Sequence, residues 1–219
     1  MNRVVAALAS GILALFPGCF HTPLVTPEVL RPGEYCTGLG LNGALSNRSP
    51  GVFGWSSIYG RYGLAGDCDV GLGYSFPLGF CADFKRQLGT RPLSAADICL
   101  QVGERQSLSL DSGLARPRCW VVGLAPSVAA GRADLYGGAQ VLLQVEMLHS
   151  RPDFYLLPGF FGGATFFADD NPFRIVPSLG LLFDPGFGLH AVQALITAGV
   201  AVQIDLSELY RKKYLVIPP

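Results

Sequence analysis

Across residues 190–206 every second residue is apolar. Val192, Ala194, Ile196, Ala198, Val200, Val202, Ile204 and Leu206 make one row, and Gln193, Thr197, Gly199, Gln203 and Asp205 lie opposite. A period of two sends alternate side chains to opposite faces of a strand, so this stretch has one apolar face and one polar face. The same pattern fills residues 61–88. There Val70, Leu72 and Tyr74 oppose Asp69, Gly71 and Gly73. After a turn at Pro77-Leu78-Gly79, Phe80, Ala82 and Phe84 oppose Cys81, Asp83 and Lys85.

Followed along the chain, the alternation predicts strands at 34–44, 52–65, 68–75, 80–88, 98–103, 119–129, 134–148, 154–168, 173–183 and 190–206. Residues 89–96 read as loop, and the polar stretch 104–118 as a longer loop or a weak strand pair. Pro126 is expected to interrupt the sixth strand, and Pro158 with Gly162-Gly163 to bulge or kink the eighth. Many of these runs span 11 to 15 residues. Strands of globular domains average about 5–6 residues, whereas a tilted strand needs about 9–11 to cross a bilayer. The expected fold is therefore all-β: an antiparallel up-and-down β-barrel of about ten strands, within a range of roughly 8–12. An even antiparallel number closes the sheet and leaves no unpaired edge.

Composition supports this class. The chain has 219 residues, enough for one large domain, with 50% apolar and only 15% charged residues. Yet after the N-terminus there is no run of about 20 apolar residues, so no spanning helix is expected. High hydrophobicity without such a run fits a wall whose lipid-facing and lumen-facing residues alternate. The plainer reading, a soluble β-sandwich or barrel with an ordinary core, stays open. Formal net charge is zero, which gives no electrostatic case for nucleic acid.

The opening residues are a separate unit. Arg3 precedes an apolar stretch, Val4 to Phe16, and small Gly18 stands before Cys19. Residues 1–18 read as a secretory signal peptide. Residues 19–33, with Pro23, Pro27 and Pro32, read as an extended tether. The barrel is expected over 34–206, and 207–219 as a C-terminal tail with Arg211, Lys212 and Lys213 between Tyr210 and Tyr214. That cluster suits a membrane interface or, equally, a solvated tail.

Chemistry is sparse. Six cysteines are present; with Cys19 set aside, Cys36, Cys68, Cys81, Cys99 and Cys119 allow at most two disulfides, with no pairing assigned. No Cys-x-x-Cys occurs, and the histidines are only His21, His149 and His190, so neither a zinc site nor any other cofactor is expected. There is no nucleophile elbow, His-Glu-x-x-His or phosphate loop, and the chain reads as a non-enzyme. The polar rows do collect charge: Glu34, Arg61, Asp69, Asp83, Lys85, Glu146, Arg174 and Asp205 are expected to face the lumen. Buried singly they would each cost several kcal/mol, so they must pair or stay wet. They build either a polar passage or a salt-bridged plug, and Arg61, Asp69, Asp83 and Lys85, all within 61–88, are candidates for one mutually paired network.

The segment Phe16-Pro17-Gly18-Cys19 resembles a bacterial lipobox. That resemblance implies a lipid on the thiol of Cys19, and Phe20 rather than aspartate at the next position implies the outer membrane. By the pattern of 61–88 and 190–206, the chain resembles the bacterial outer-membrane β-barrel group over 34–206. The resemblance implies lipid around the wall and insertion by the outer-membrane assembly machinery. The chain departs from the group at its end, Tyr214-Leu215-Val216-Ile217-Pro218-Pro219, where a strand with a terminal aromatic is usual. Two functions follow: a lipid-anchored outer-membrane barrel with a structural or passive small-solute role, or a lipid-tethered periplasmic soluble barrel holding an apolar ligand. They differ in which way the apolar rows point. Oligomeric state is not legible.

Overall fold

The computed structural model describes residues 26–46, 52–76, 79–106, 118–132, 134–148, 151–166, 172–184 and 193–215. Ten strands follow one another: β1 (Tyr35–Ser46), β2 (Val52–Leu64), β3 (Cys68–Phe76), β4 (Gly79–Thr90), β5 (Leu93–Gln106), β6 (Arg118–Gly131), β7 (Leu135–Leu148), β8 (Arg151–Ala164), β9 (Phe173–Asp184) and β10 (Gln193–Asp205). Each pairs antiparallel with its sequence neighbours, and β1 pairs with β10 from Cys36↔Asp205 to Ser46↔Leu195, closing an up-and-down barrel. The helix α1 (Leu206–Leu215) follows β10 directly. Asp205 caps it, its Oδ1 accepting the Glu208 amide at 2.9 Å.

Alternation does what the sequence pattern requires. Along β3, Asp69, Gly71 and Ser75 are buried inside, while Leu72 and Phe76 are 70% and 60% exposed outside. Both termini of the barrel lie at one end, called here the terminal end. Its turns include Ala65-Gly66-Asp67, where Gly66 and Asp67 adopt positive φ (78° and 56°). Glycine takes that conformation without a Cβ penalty, and Asp is among the residues that tolerate it. β5 ends at Gln106 and β6 begins at Arg118 at the opposite end.

Three local expectations are corrected. Residues 89–96 are not a loop: β4 runs to Thr90, β5 starts at Leu93, and Arg91-Pro92 alone turns the chain. The alternation was hidden there because the inward positions are Ala95 and Asp97, not a polar row against large apolar residues. Pro126 does not interrupt β6. It points outward, between the ladder pairs Leu124↔Leu143 and Ser127↔Gln140, where the strand continues in the same register. Nor does Gly162-Gly163 bulge, since β7 and β8 keep one register from Leu135↔Ala164 to Leu148↔Arg151. The register shift lies in β4, between Gln87 and Gly89. Gln87 stabilises it, its Nε2 donating to the carbonyls of Gly89 (2.8 Å) and Ser94 (2.6 Å).

Inside, the barrel is packed. One apolar cluster joins Ala44, Trp55, Cys81, Cys99, Val121, Ala125, Leu142, Leu157, Leu182 and Leu195, largely in the half away from the termini. A second joins Ala129, Tyr136, Phe161 and Val176 nearer the terminal end. Glycine makes room for the rings: a Cβ at Gly138 would collide with Phe161, and one at Gly163 with the Tyr136 hydroxyl. The two clusters fill part of the described interior with side chains.

Candidate functional site

The terminal half of the lumen is charged along β2–β5. Asp69, Lys85, Asp97 and Ser127 stand in one row across β3, β4, β5 and β6, each opposite the next in register. Lys85 thus lies between two carboxylates, with its Nζ 3.6 Å from Asp69 Oδ2. Arg61 comes from β2. Its Nε donates to Asp69 Oδ1 at 3.1 Å, and its Nη2 pairs with both Asp69 and Asp83, the latter at 2.7 Å. The Arg61 fork reaches Asp83 because the intervening β3 position is Gly71, where a Cβ would collide with the Asp83 carboxylate. Asp69 is 0% exposed and Lys85 2%. Three carboxyl groups, Asp69, Asp83 and Asp97, stand against two cations, and Asp97 Oδ1 has no hydrogen-bond partner among the described residues.

Residues 26–33 lie across the mouth above this cluster. Lys85 Nζ donates to the Thr26 carbonyl and hydroxyl, both at 3.4 Å, and to the Glu28 carbonyl. Gln87 Nε2 donates to the Pro27 carbonyl at 3.1 Å, and the Leu30 amide donates to Asp69 Oδ2 at 3.0 Å. Arg174 Nη1 pairs with Glu28 Oε2 at 2.8 Å from β9, across the lumen. The root of the segment joins the rim through Gly33 N to Gly63 O (3.0 Å) and Gly63 N to Glu34 O (2.8 Å). Pro27 is fully buried.

Of the eight expected lumen charges, Arg61, Asp69, Asp83 and Lys85 meet in one group, and the other four do not join it. Arg174 binds Glu28. Glu34 Oε2 accepts the Arg31 amide at 3.1 Å, at the base of the segment. Asp205 caps α1. Glu146 is fully buried farther along β7, accepting from Gln144 Nε2 at 2.9 Å. Sequence reasoning missed Asp97, although its parity with Cys99 and Gln101 marks an inward position. It also missed Glu28, because nothing in a proline-rich tether signals insertion into a mouth.

Cys36, Cys68, Cys81 and Cys99 carry free thiols. Cys19, the signal segment, His21, His149, His190 and the side chain of Cys119 lie outside the described residues. The tail residues 207–215 are helical. They are tied to β1 by the Tyr35 amide donating to Ser207 Oγ at 2.7 Å, with the Tyr35 and Tyr210 rings 6.2 Å apart.

No protein-family model and no curated protein matches the chain. Among solved structures it is similar to Neisserial surface protein A, at 8% identity and a TM-score of 0.31, over 78% of this chain and 96% of that one. It is likewise similar to Ail, the attachment invasion locus protein of Yersinia pestis, at 12% identity and a TM-score of 0.27, over 78% and 97%.

Proposed function

We propose that this chain is an outer-membrane β-barrel lipoprotein with a structural or passive role, its lumen filled rather than open. The observation that carries the reading is the outward face. Leu39, Leu41, Leu72, Phe80, Leu100, Phe160 and Leu179 all stand exposed on the wall, from 46% for Leu100 to 70% for Leu72 and Phe80. In water such a continuous apolar surface is unfavourable and drives aggregation; in lipid it is the required surface. Aromatic residues flank it: Tyr62, Phe173 and Tyr210 toward the terminal end, Phe76, Trp120 and Phe154 toward the other. That is the arrangement of interfacial girdles.

With the termini on the periplasmic side, the opposite end of the barrel faces outward from the cell. Cys19 as the lipid site, lipid around the wall and insertion by the outer-membrane assembly machinery belong to the same reading. The outward direction of the apolar rows favours it over a soluble barrel with an apolar ligand inside. Salt-bridged filling at one end and apolar packing at the other favour a non-catalytic role without bulk flow.

Membrane fractionation with gel mobility before and after heating tests the reading. The expected result is retention in the carbonate-washed outer membrane and a heat-dependent mobility shift. Release by carbonate together with an unshifted band would overturn it. Palmitate incorporation, lost in Cys19→Ala, tests the anchor separately.

A further inference from the structure

We infer that residues 26–33 are a displaceable plug: a peptide bound in cis by the charged mouth, able to leave it as a unit while the barrel stays closed. Three observations carry this. First, the segment is bound as a ligand rather than built in as a strand. Beyond its root at Gly33, Glu34 and Gly63, its seat consists of lumen side chains, Lys85, Gln87, Asp69 and Arg174, bonded to its backbone or to Glu28. Pro27 and Pro32 lack the amide that ladder pairing needs. Second, its root holds a hinge, Gly33 at φ 82° next to Pro32. Third, the two parts differ in how they are held. Each ladder beside the mouth, β2 with β3 and β3 with β4, runs over eight or more consecutive register pairs, whereas the segment rests on a few bonds to lumen side chains. Local opening starts where contacts are fewest.

Release would change the mouth chemically. Lys85 would lose its acceptors on Thr26 and Glu28 and retain the carboxylates beside it. The uncovered face would present Asp69, Asp83 and Asp97 against Arg61 and Lys85, a polar mouth open to the solution. The plug thus sets whether the polar half of the lumen is in contact with the surrounding solution. This inference rests on the barrel fold and not on the membrane reading, so either can fail without the other.

Hydrogen exchange on the unaltered full-length protein tests it directly. The Leu30 amide, bonded to Asp69, is expected to exchange at least about a hundredfold faster than the ladder amides of β3, because it reports the plug alone. Exchange of Leu30 no faster than those amides would overturn the proposal. Gly63→Val gives a second route, since a Cβ at Gly63 would collide with the Arg31 carbonyl while valine suits a strand. In that variant, with the heat-dependent mobility shift retained, cleavage after Glu28 by a glutamate-specific protease should rise by about tenfold or more. A folded variant cut no faster than the unaltered protein would also overturn it. If the variant does not fold, the exchange measurement decides alone.

Discussion

On β2–β5 the lumen face carries Arg61, Asp69, Asp83, Lys85 and Asp97, while on β8–β10 it carries Leu157, Phe161, Val176, Leu182, Leu195 and Ala201. Both faces are buried, both belong to strands with an apolar outer row, and both are thinned by glycine. They differ in what a lost side chain leaves behind. On the charged wall, removing one member strands its partners in a medium that solvates them poorly, so the cost is electrostatic. On the apolar wall, removing a ring leaves a void, so the cost is lost contacts. The charged wall also needs a third party, the segment 26–33, to complete its hydrogen bonds. On the other wall the segment is met by Arg174 of β9, through Glu28.

Substitutions that break this contrast can be ranked. Asp69→Ala uncouples Arg61, Lys85 and the Leu30 amide, and should cost about 3–5 kcal/mol of stability. Phe161→Ala opposite should cost a similar amount, about 3–5 kcal/mol, by cavity formation. Denaturant unfolding of the protein in lipid vesicles measures both. The two are separated by the plug: only Asp69→Ala should speed cleavage after Glu28, and an equal effect from Phe161→Ala would erase the distinction between the walls. Leu72→Arg, at the centre of β3 on the outer face, should cost about 2–4 kcal/mol in a bilayer. The same unfolding experiment with no cost in vesicles would contradict a lipid-facing wall.

Gly71→Ala should cost about 1–3 kcal/mol as its methyl pushes Asp83 off Arg61. A double-mutant cycle with Asp83→Asn checks this, because the penalty should shrink when the pair is already weakened. The smallest effect belongs to Thr197→Val. The Thr197 hydroxyl is buried without a hydrogen-bond partner among the described residues, so its loss should change stability by no more than about 1 kcal/mol, toward greater stability. A clear loss in the unfolding midpoint would mean that the hydroxyl is hydrogen-bonded after all.

Much of the wall was legible because period two is a local property. The parity of Asp69, Asp83 and Lys85 on β3 and β4 already put them on one face, and Gly71 between them needed no side chain to be read. The apolar part of the lumen was harder. Leu142 and Leu182 share the parity of polar rows, but Leu157 lies between apolar neighbours on both faces, which give no sign of which side it faces. Leu195 and Ala201 fall in the polar row of 190–206, and both are buried inside. Short-range signals misled at Gly162-Gly163 and Pro126 for one reason: a strand flanked on both sides tolerates glycine and an outward proline once its neighbours fix the register.

By itself, the sequence determined that this chain makes long antiparallel strands with an apolar face, in a number that closes. Alternation and length are written in consecutive residues, and a one-residue slip would turn every side chain to the wrong side. Only the tertiary structure decided which of the eight charges stay outside the network expected of Arg61, Asp69, Asp83 and Lys85. Arg61, Asp69, Asp83 and Lys85 share adjacent strands, whereas Glu146, Arg174, Glu34 and Asp205 are carried elsewhere by the register of closure. It alone placed residues 26–33 in the mouth, because Glu28 and Arg174 are 146 residues apart in the chain and are brought within 2.8 Å only by a closed wall.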